Sequence, residues 1–150
     1  MGRKRANELK KGNYFIPDEI DEPFEVVENQ HSKSGKHGSA KSRVTAVGLF
    51  SGNKKSWTFK SDDMIVTPTI NKRSGQLITI DEANKTVQVM DTETYETLDV
   101  EFPLDKENKV SYEKLDKLIN NPDVWGETQI EFWDVMNKMF ITRIVLPDYI

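Results

Sequence analysis

The sequence predicts an all-β chain folded as two small barrels. Three observations carry that expectation. Blocks of Val, Ile, Leu and aromatic residues recur from Tyr14 to Ile150, each a few residues long and bounded by Gly, Ser, Asn or Asp. Only one segment, near residue 115, has helical rather than alternating periodicity. The strand pattern breaks at Pro68 and resumes as a second series, so the expected domains are 1–67 and 68–150. A chain of 150 residues has room for one ordinary domain or two small ones.

In the first series, Gly12 supplies a turn before the short strand Asn13–Ile16. Pro23–Gln30 alternates in part, with Phe24, Val26 and Val27 among Glu25 and Glu28. Ser42–Leu49 places Val44, Ala46 and Gly48 on one face and Thr45, Val47 and Leu49 on the other. Ser51-Gly52-Asn53 turns into Ser56–Phe59, a run of β-formers. After Pro68, Asn71-Lys72-Arg73-Ser74-Gly75 reads as a polar turn. The strands Gln76–Ile80, Thr86–Met90 and Thr97–Phe102 follow, joined by turns at Asn84-Lys85 and Asp91–Glu93. A helix is expected from Ser111 to Asn120, capped by Ser111, with Tyr112, Leu115, Leu118 and Ile119 on one face and Pro122 ending it. Gln129–Trp133 and Met139–Leu146 complete the set, with a turn at Asn137-Lys138. Three strands, a short helix and two strands are the element order of an OB-fold, a five-stranded Greek-key barrel.

Composition excludes several classes of function. With no cysteine, the chain has no disulfide scaffold, zinc ribbon, iron–sulfur site or thiol nucleophile, and His31 and His37 alone leave little for a metal. No run of about 18 apolar residues is present to span a bilayer, the basic N-terminus is followed by no apolar stretch, and Ala6 stands where myristoylation wants Ser or Thr. A cytoplasmic, monomeric protein without membrane partners is expected. The formal charge of −4 conceals an asymmetry. Residues 1–67 carry twelve Lys/Arg against nine Asp/Glu, and the remainder nine against sixteen. Between His31 and Lys60 there are seven basic residues and no acid. Such a stretch suits contact with phosphates, and it equally describes a solvated basic surface.

One segment differs in kind from the rest: residues 30–41, Gln-His-Ser-Lys-Ser-Gly-Lys-His-Gly-Ser-Ala-Lys. It joins two expected strands and has no large apolar side chain to anchor it. Gly35 and Gly38 bracket Lys36-His37, and glycine turns the backbone at little steric cost. Lys33, Lys36 and Lys41 repel one another unless an anion lies nearby. The expected shape is a protruding hairpin loop with Lys36 near its tip, although local physics alone also allows a plain flexible turn. A phosphate-binding P-loop does not fit, because Gln30 stands where its first glycine is needed and His37 where Ser or Thr is needed.

The run Lys33-Ser34-Gly35-Lys36-His37-Gly38-Ser39-Ala40-Lys41 closely resembles the hypusine loop of the translation factor 5A family, K-x-G-K-H-G-x-A-K. Arg43–Phe50 looks like the strand that follows that loop, and Met90–Glu96 like a hairpin of the second domain. The likeness spans about residues 10–146 and is nearest the archaeal branch. It implies an SH3-like barrel followed by an OB-fold. It also implies that Lys36 is the residue converted to hypusine or deoxyhypusine by deoxyhypusine synthase, which transfers a 4-aminobutyl group from spermidine using NAD. The protein would be that enzyme's substrate and not itself an enzyme, with no cofactor of its own. Its partners would be the ribosome, with its rRNA, and the P-site tRNA, where the modified lysine helps poor substrates such as consecutive prolines to react.

On this resemblance Gly35 and Gly38 shape the loop, Ser34 and His37 orient its tip, and Lys33, Lys41 and Arg43 bind phosphates. Ser39 stands where eukaryotic members usually have histidine, which fits a deoxyhypusine endpoint. Lys54, Lys55 and Lys60 extend the basic face or are simply solvated. Trp57, Phe59, Phe132 and Trp133 could stack on bases, but packing is favoured, because aromatics on short barrels usually fill the interior. Asp62-Asp63 and Asp81-Glu82 are adjacent carboxylates that would point to opposite strand faces, so they read as turns and not as catalytic pairs. The competing function is an unmodified RNA-binding OB-fold module acting as a chaperone or accessory factor. A nuclease is disfavoured by the acid-free stretch from His31 to Lys60.

Overall fold

The computed structural model describes residues 2–33, 40–105 and 108–150. The chain divides between Thr69 and Ile70 into two units, each with its own hydrophobic core. The N-terminal unit contains β1 (Gly2–Arg5), a 3-10 turn (Ala6–Glu8), β2 (Tyr14–Phe15), β3 (Phe24–Lys33), β4 (Ala40–Gly48), β5 (Lys54–Lys60) and β6 (Met64–Thr67). Strands β2-β3-β4-β5 form one antiparallel sheet, and β1 pairs with β6 in a two-stranded ribbon. Together they make an SH3-like barrel. Its core gathers Ala6, Leu9, Phe15, Phe24, Val26, Val44, Ala46 and Ile65. Trp57 closes this core edge-on, its ring centroid 5.2 Å from Phe15 and 5.0 Å from Phe24, and Phe59 lies 6.2 Å from Phe15. Both aromatics therefore pack, as their place on a short barrel strand led us to expect.

Strands β1 and β6 have no counterpart in the sequence reading. Gly2–Arg5 holds three cations and no apolar residue, so it has no alternation to betray a strand. It is extended because β6 offers it a partner: Lys4 lies opposite Ile65 and Arg5 opposite Met64.

The C-terminal unit contains β7 (Asn71–Asp81), β8 (Thr86–Asp91), β9 (Thr97–Glu101), α1 (Lys109–Ile119), a 3-10 segment (Pro122–Glu127), β10 (Gln129–Val135) and β11 (Lys138–Val145). The strands close into a barrel in the order β7-β8-β9-β11-β10, with β9 and β11 parallel through Phe140 and Glu101. This is the OB-fold. Leu115 and Leu118 of α1 join Leu77, Val87, Val89, Val100, Ile130, Phe132, Ile141 and Ile144 in its core.

Four local expectations are corrected. Residues Asn71–Gly75 are the first half of β7 and not a polar turn; they pair with β10 from Asn71↔Asp134 to Gly75↔Ile130. Their polarity has two structural uses. Gly75 lets β8 approach, since a Cβ there would sit 2.7 Å from the Met90 carbonyl oxygen. Arg73 Nε donates to Asp91 Oδ2 at 2.8 Å and its Nη1 to Asp134 Oδ2 at 3.1 Å, fastening three strands. Secondly, α1 is capped by Asn108, whose side chain accepts the Ser111 N–H at 3.2 Å; Ser111 is itself helical and buried. The Asn side chain meets the free amide of the first turn. Thirdly, α1 ends at Ile119 with Asn120 as its C-cap, and Pro122 opens the following 3-10 segment. In addition, the β10–β11 turn is Met136-Asn137, both at positive φ as a two-residue type I′ hairpin requires, and Lys138 already belongs to β11.

Asp91 is almost fully enclosed. Burial pushes its carboxyl up, but the Thr94 N–H, Arg73 and the Glu93 N–H outweigh burial and hold it below the usual carboxylate range. Its contribution to stability is thus present above the unfolded-state value and is lost as pH falls through the lower folded-state value. Arg73→Ala, which strips the guanidinium from an enclosed carboxylate, is expected to cost about 2–3 kcal/mol at neutral pH. Urea titrations should show that cost shrinking only as pH falls below the usual carboxylate range, through the lowered folded-state value at which Asp91 takes up a proton even beside Arg73.

Candidate functional site

The longest feature of the N-terminal unit is the β3–β4 hairpin. It begins in the core, with Phe24, Val26, Val44 and Ala46 all buried, and ends exposed at the last described pair, Lys33↔Ala40. The register slips between Val26 and Glu28, so Val27 is the extra residue of a bulge. Both strands run past the sequence-expected ends, β3 to Lys33 and β4 back to Ala40, because strand pairing carries the backbone beyond the last apolar residue. Ser34, Gly35, Lys36, His37, Gly38 and Ser39, and with them the expected site of modification, lie outside the described residues.

The pairing sorts the expected phosphate contacts. Val44 and Ala46 face the core, so Lys41, Arg43, Thr45 and Val47 face outward. Lys60 lies opposite Lys41, Thr58 opposite Arg43 and Lys54 opposite Val47. One outer surface therefore carries Lys41, Arg43, Lys54 and Lys60. Lys55 pairs with inward-facing Ala46, and Lys33 with Ala40, which places both on the opposite side of the sheet. The structure thus brings together Lys41, Arg43 and Lys54, adds Lys60, and separates Lys33 and Lys55 from them. Gln30, Ser32, Thr58 and Ser56 accompany the cations on this face as hydrogen-bonding groups.

At the base of the hairpin a polar seam runs under the opposite side. His31 Nδ1 is 3.3 Å from Ser42 Oγ, which is 3.2 Å from Ser61 Oγ, and Ser42 is fully buried. Beside it, Asn29 Nδ2 donates to the carbonyl oxygens of Ala6 at 2.9 Å and Leu9 at 2.8 Å. These two bonds tie the N-terminal segment to the hairpin. Sequence reasoning missed Asn29, Ser42 and Ser61. The usable signal was the alternation of β4, which puts Ser42 on the inner face where an apolar residue is normal.

In the C-terminal unit Phe132 is fully buried and Trp133 half-buried, with Phe140 at 6.1 Å and the Lys72 ammonium 5.5 Å from its ring. Among the described residues no three His, Asp or Glu side chains converge as a metal would need. No helix among them is long and apolar enough to cross a membrane.

Comparison with known proteins gives this hairpin its context. The family model for translation initiation factor 5A-like N-terminal domains matches residues 3–63. A translation initiation factor 5A from Hyperthermus butylicus is 44% identical over 137 residues, covering 91% of this chain and 89% of the relative. The chain belongs to the translation initiation factor 5A family. A member from Korarchaeum cryptofilum is 40% identical over 141 residues, covering 94% and 93% of the two chains. Among solved structures, the factor from Methanococcus jannaschii matches with a TM-score of 0.71 at 29% identity over 96% of this chain and 94% of that one. A family protein from Naegleria fowleri matches with a TM-score of 0.76 at 26% identity over 97% and 98%. The family members are translation factors and not enzymes, so its role lies in protein synthesis.

Asn29→Ala removes the two bonds that hold Ala6 and Leu9 against β3. A loss of about 1–2 kcal/mol in the N-terminal unit is expected. The Ala6 and Asn7 amides, which donate to Asp63 and Ser61, should exchange with deuterium faster than in the parent protein, while the C-terminal barrel is unaffected.

Proposed function

We propose that the protein acts on the ribosome, in the cytoplasm, as a carrier of one chemically extended lysine, Lys36. Deoxyhypusine synthase would supply the extension, an aminobutyl group taken from spermidine and joined to the lysine ε-nitrogen. The observation that supports this reading is a nine-residue run, 33–41, with the family's loop pattern, set between two strands paired out to Lys33 and Ala40. An unmodified lysine is a compact cation on a four-carbon stem. Four further carbons and a second amine roughly double its reach and add a charge, which suits a narrow cleft walled by phosphates. Lys41 and Arg43, on the outer face next to the segment, would bind RNA backbone and set the direction of approach, with Lys54 and Lys60 beyond them.

The chemistry of peptide-bond formation would stay with the ribosome. A cationic probe beside the acceptor end of P-site tRNA restricts the motion of the peptidyl group, which lowers the entropic part of the barrier for slow pairs such as Pro-Pro. No acid, base or nucleophile of this chain is required. Ser39 in place of histidine favours deoxyhypusine as the final form.

Peptide mapping of protein purified from its native source tests the reading. The peptide containing Lys36 should carry one aminobutyl group, and Lys36→Arg should lose both that mass and stimulation of consecutive-proline synthesis, though charge is kept. An unmodified Lys36 with full activity in the arginine variant would instead favour an RNA-binding module that needs no modification.

A further inference from the structure

The N-terminal segment is a second concentration of charge that the hairpin reading leaves unused. Residues 2–13 contain Arg3, Lys4, Arg5, Lys10 and Lys11 against a single carboxylate, Glu8, in a chain whose net charge is −4. Among the described residues none of these five cations is in an ion pair, and every residue of β1 is exposed. Terminal charges on a loose tail would carry little meaning, but this tail is fixed. β1 pairs with β6 over four residues, Ala6 and Leu9 are buried in the core, and the Asn29 amide holds both of their carbonyls. Register sorts the cations as well. Lys4 lies opposite inward-facing Ile65, and its ammonium is 3.4 Å from Asn13 Oδ1. Arg3 and Arg5 share the other face with Val66 and exposed Met64.

The segment also meets the hairpin. The Asn7 N–H donates to the Ser61 carbonyl, and the Ser61 N–H donates to the carbonyl of Ala40, the last described residue before Lys41. Lys60 precedes Ser61 and lies opposite Lys41. Two backbone bonds thus link the turn after Arg5 to the exposed end of β4. Asp62 and Asp63 lie in the turn before β6; the Asp63 carbonyl accepts the Ala6 N–H, and Asp63 Oδ2 accepts the Lys60 N–H.

We infer that Arg3 and Arg5 of β1 form a second RNA-backbone site, continuing the phosphate path from the exposed end of β4 along the N-terminal strand. RNA is favoured over a membrane surface because the strand interleaves no aromatic or leucine between its cations, and because the protein works in translation. Guanidinium pairs suit phosphate oxygens, which they meet with two hydrogen bonds each. Pre-ordering by β6 and Asn29 removes the cost of fixing the strand on contact. The inference rests on the hairpin face meeting RNA.

The test measures binding of the full chain to an unstructured 20-nucleotide RNA across a salt series. The variants are Arg3→Gln/Arg5→Gln, Lys41→Gln/Arg43→Gln, and a charge-matched control, Lys109→Gln/Lys117→Gln, at exposed positions of α1. Each lost phosphate contact should flatten the plot of log affinity against log salt by about 0.7. Arg3→Gln/Arg5→Gln should therefore flatten it by about 1.4 and weaken binding on the order of tenfold near 0.1 M salt. The control should change neither. An unchanged slope in Arg3→Gln/Arg5→Gln, while Lys41→Gln/Arg43→Gln weakens binding, overturns this inference alone. If the parent protein binds no RNA, the hairpin reading falls with it. An equal effect in the control shows net charge only and overturns the site. Phosphatidylserine vesicles form the final arm: loss of vesicle binding with RNA binding intact would assign the strand to a membrane surface instead.

Discussion

The N-terminal unit depends on one constraint: β3 and β4 must be buried at one end and exposed at the other while keeping a single register. Period-two side chains make a one-residue slip costly, since it would drive Glu25 and Arg43 into the core in place of Val26 and Val44. The bulge at Val27 absorbs the mismatch, so that Glu28, Thr45 and Ser56 still share the outer face. From that register follow the outward row of Lys41 and Arg43, the inward seat of Ser42, and the position of Asn29 under the N-terminal segment. The aromatic wedge of Phe15, Phe24 and Trp57 makes the buried end rigid. A rigid buried end and a polar, exposed one are what a reaching loop requires.

The C-terminal unit solves a different problem with the same means. Its barrel closes because β7 pairs with β8 on one side and β10 on the other. Arg73 bridges the two neighbours through Asp91 and Asp134, and Gly75 removes the side chain that would hold β8 away. The polar run Asn71–Gly75 thus belongs to the barrel's closure.

Sequence patterns made the fold legible wherever burial was one-sided. The OB-fold order, the alternation of β4 and the apolar face of α1 all arise from residues that must avoid water on one side only. They failed wherever a residue served the backbone or a partner strand. Arg73 and Gly75 have turn-like composition but strand roles, β1 has no apolar residue, and Asn108 caps α1 three residues before the expected Ser111. At the site, the loop pattern around Lys36 and the basic stretch were plain in the residues alone. Which cations share a face was not, because it depends on a register set by the bulge at Val27.

On the proposed function, the protein is a scaffold that delivers one modified side chain, held by a hairpin and steered by cations, to RNA at the ribosome. Photo-cross-linking from position 34 tests this most directly. A photoreactive residue replaces Ser34 in protein still modified at Lys36, bound to ribosomes stalled on consecutive prolines. Cross-links to the acceptor arm of P-site tRNA are predicted. Cross-links confined to ribosomal protein, with the tRNA untouched, would contradict the account.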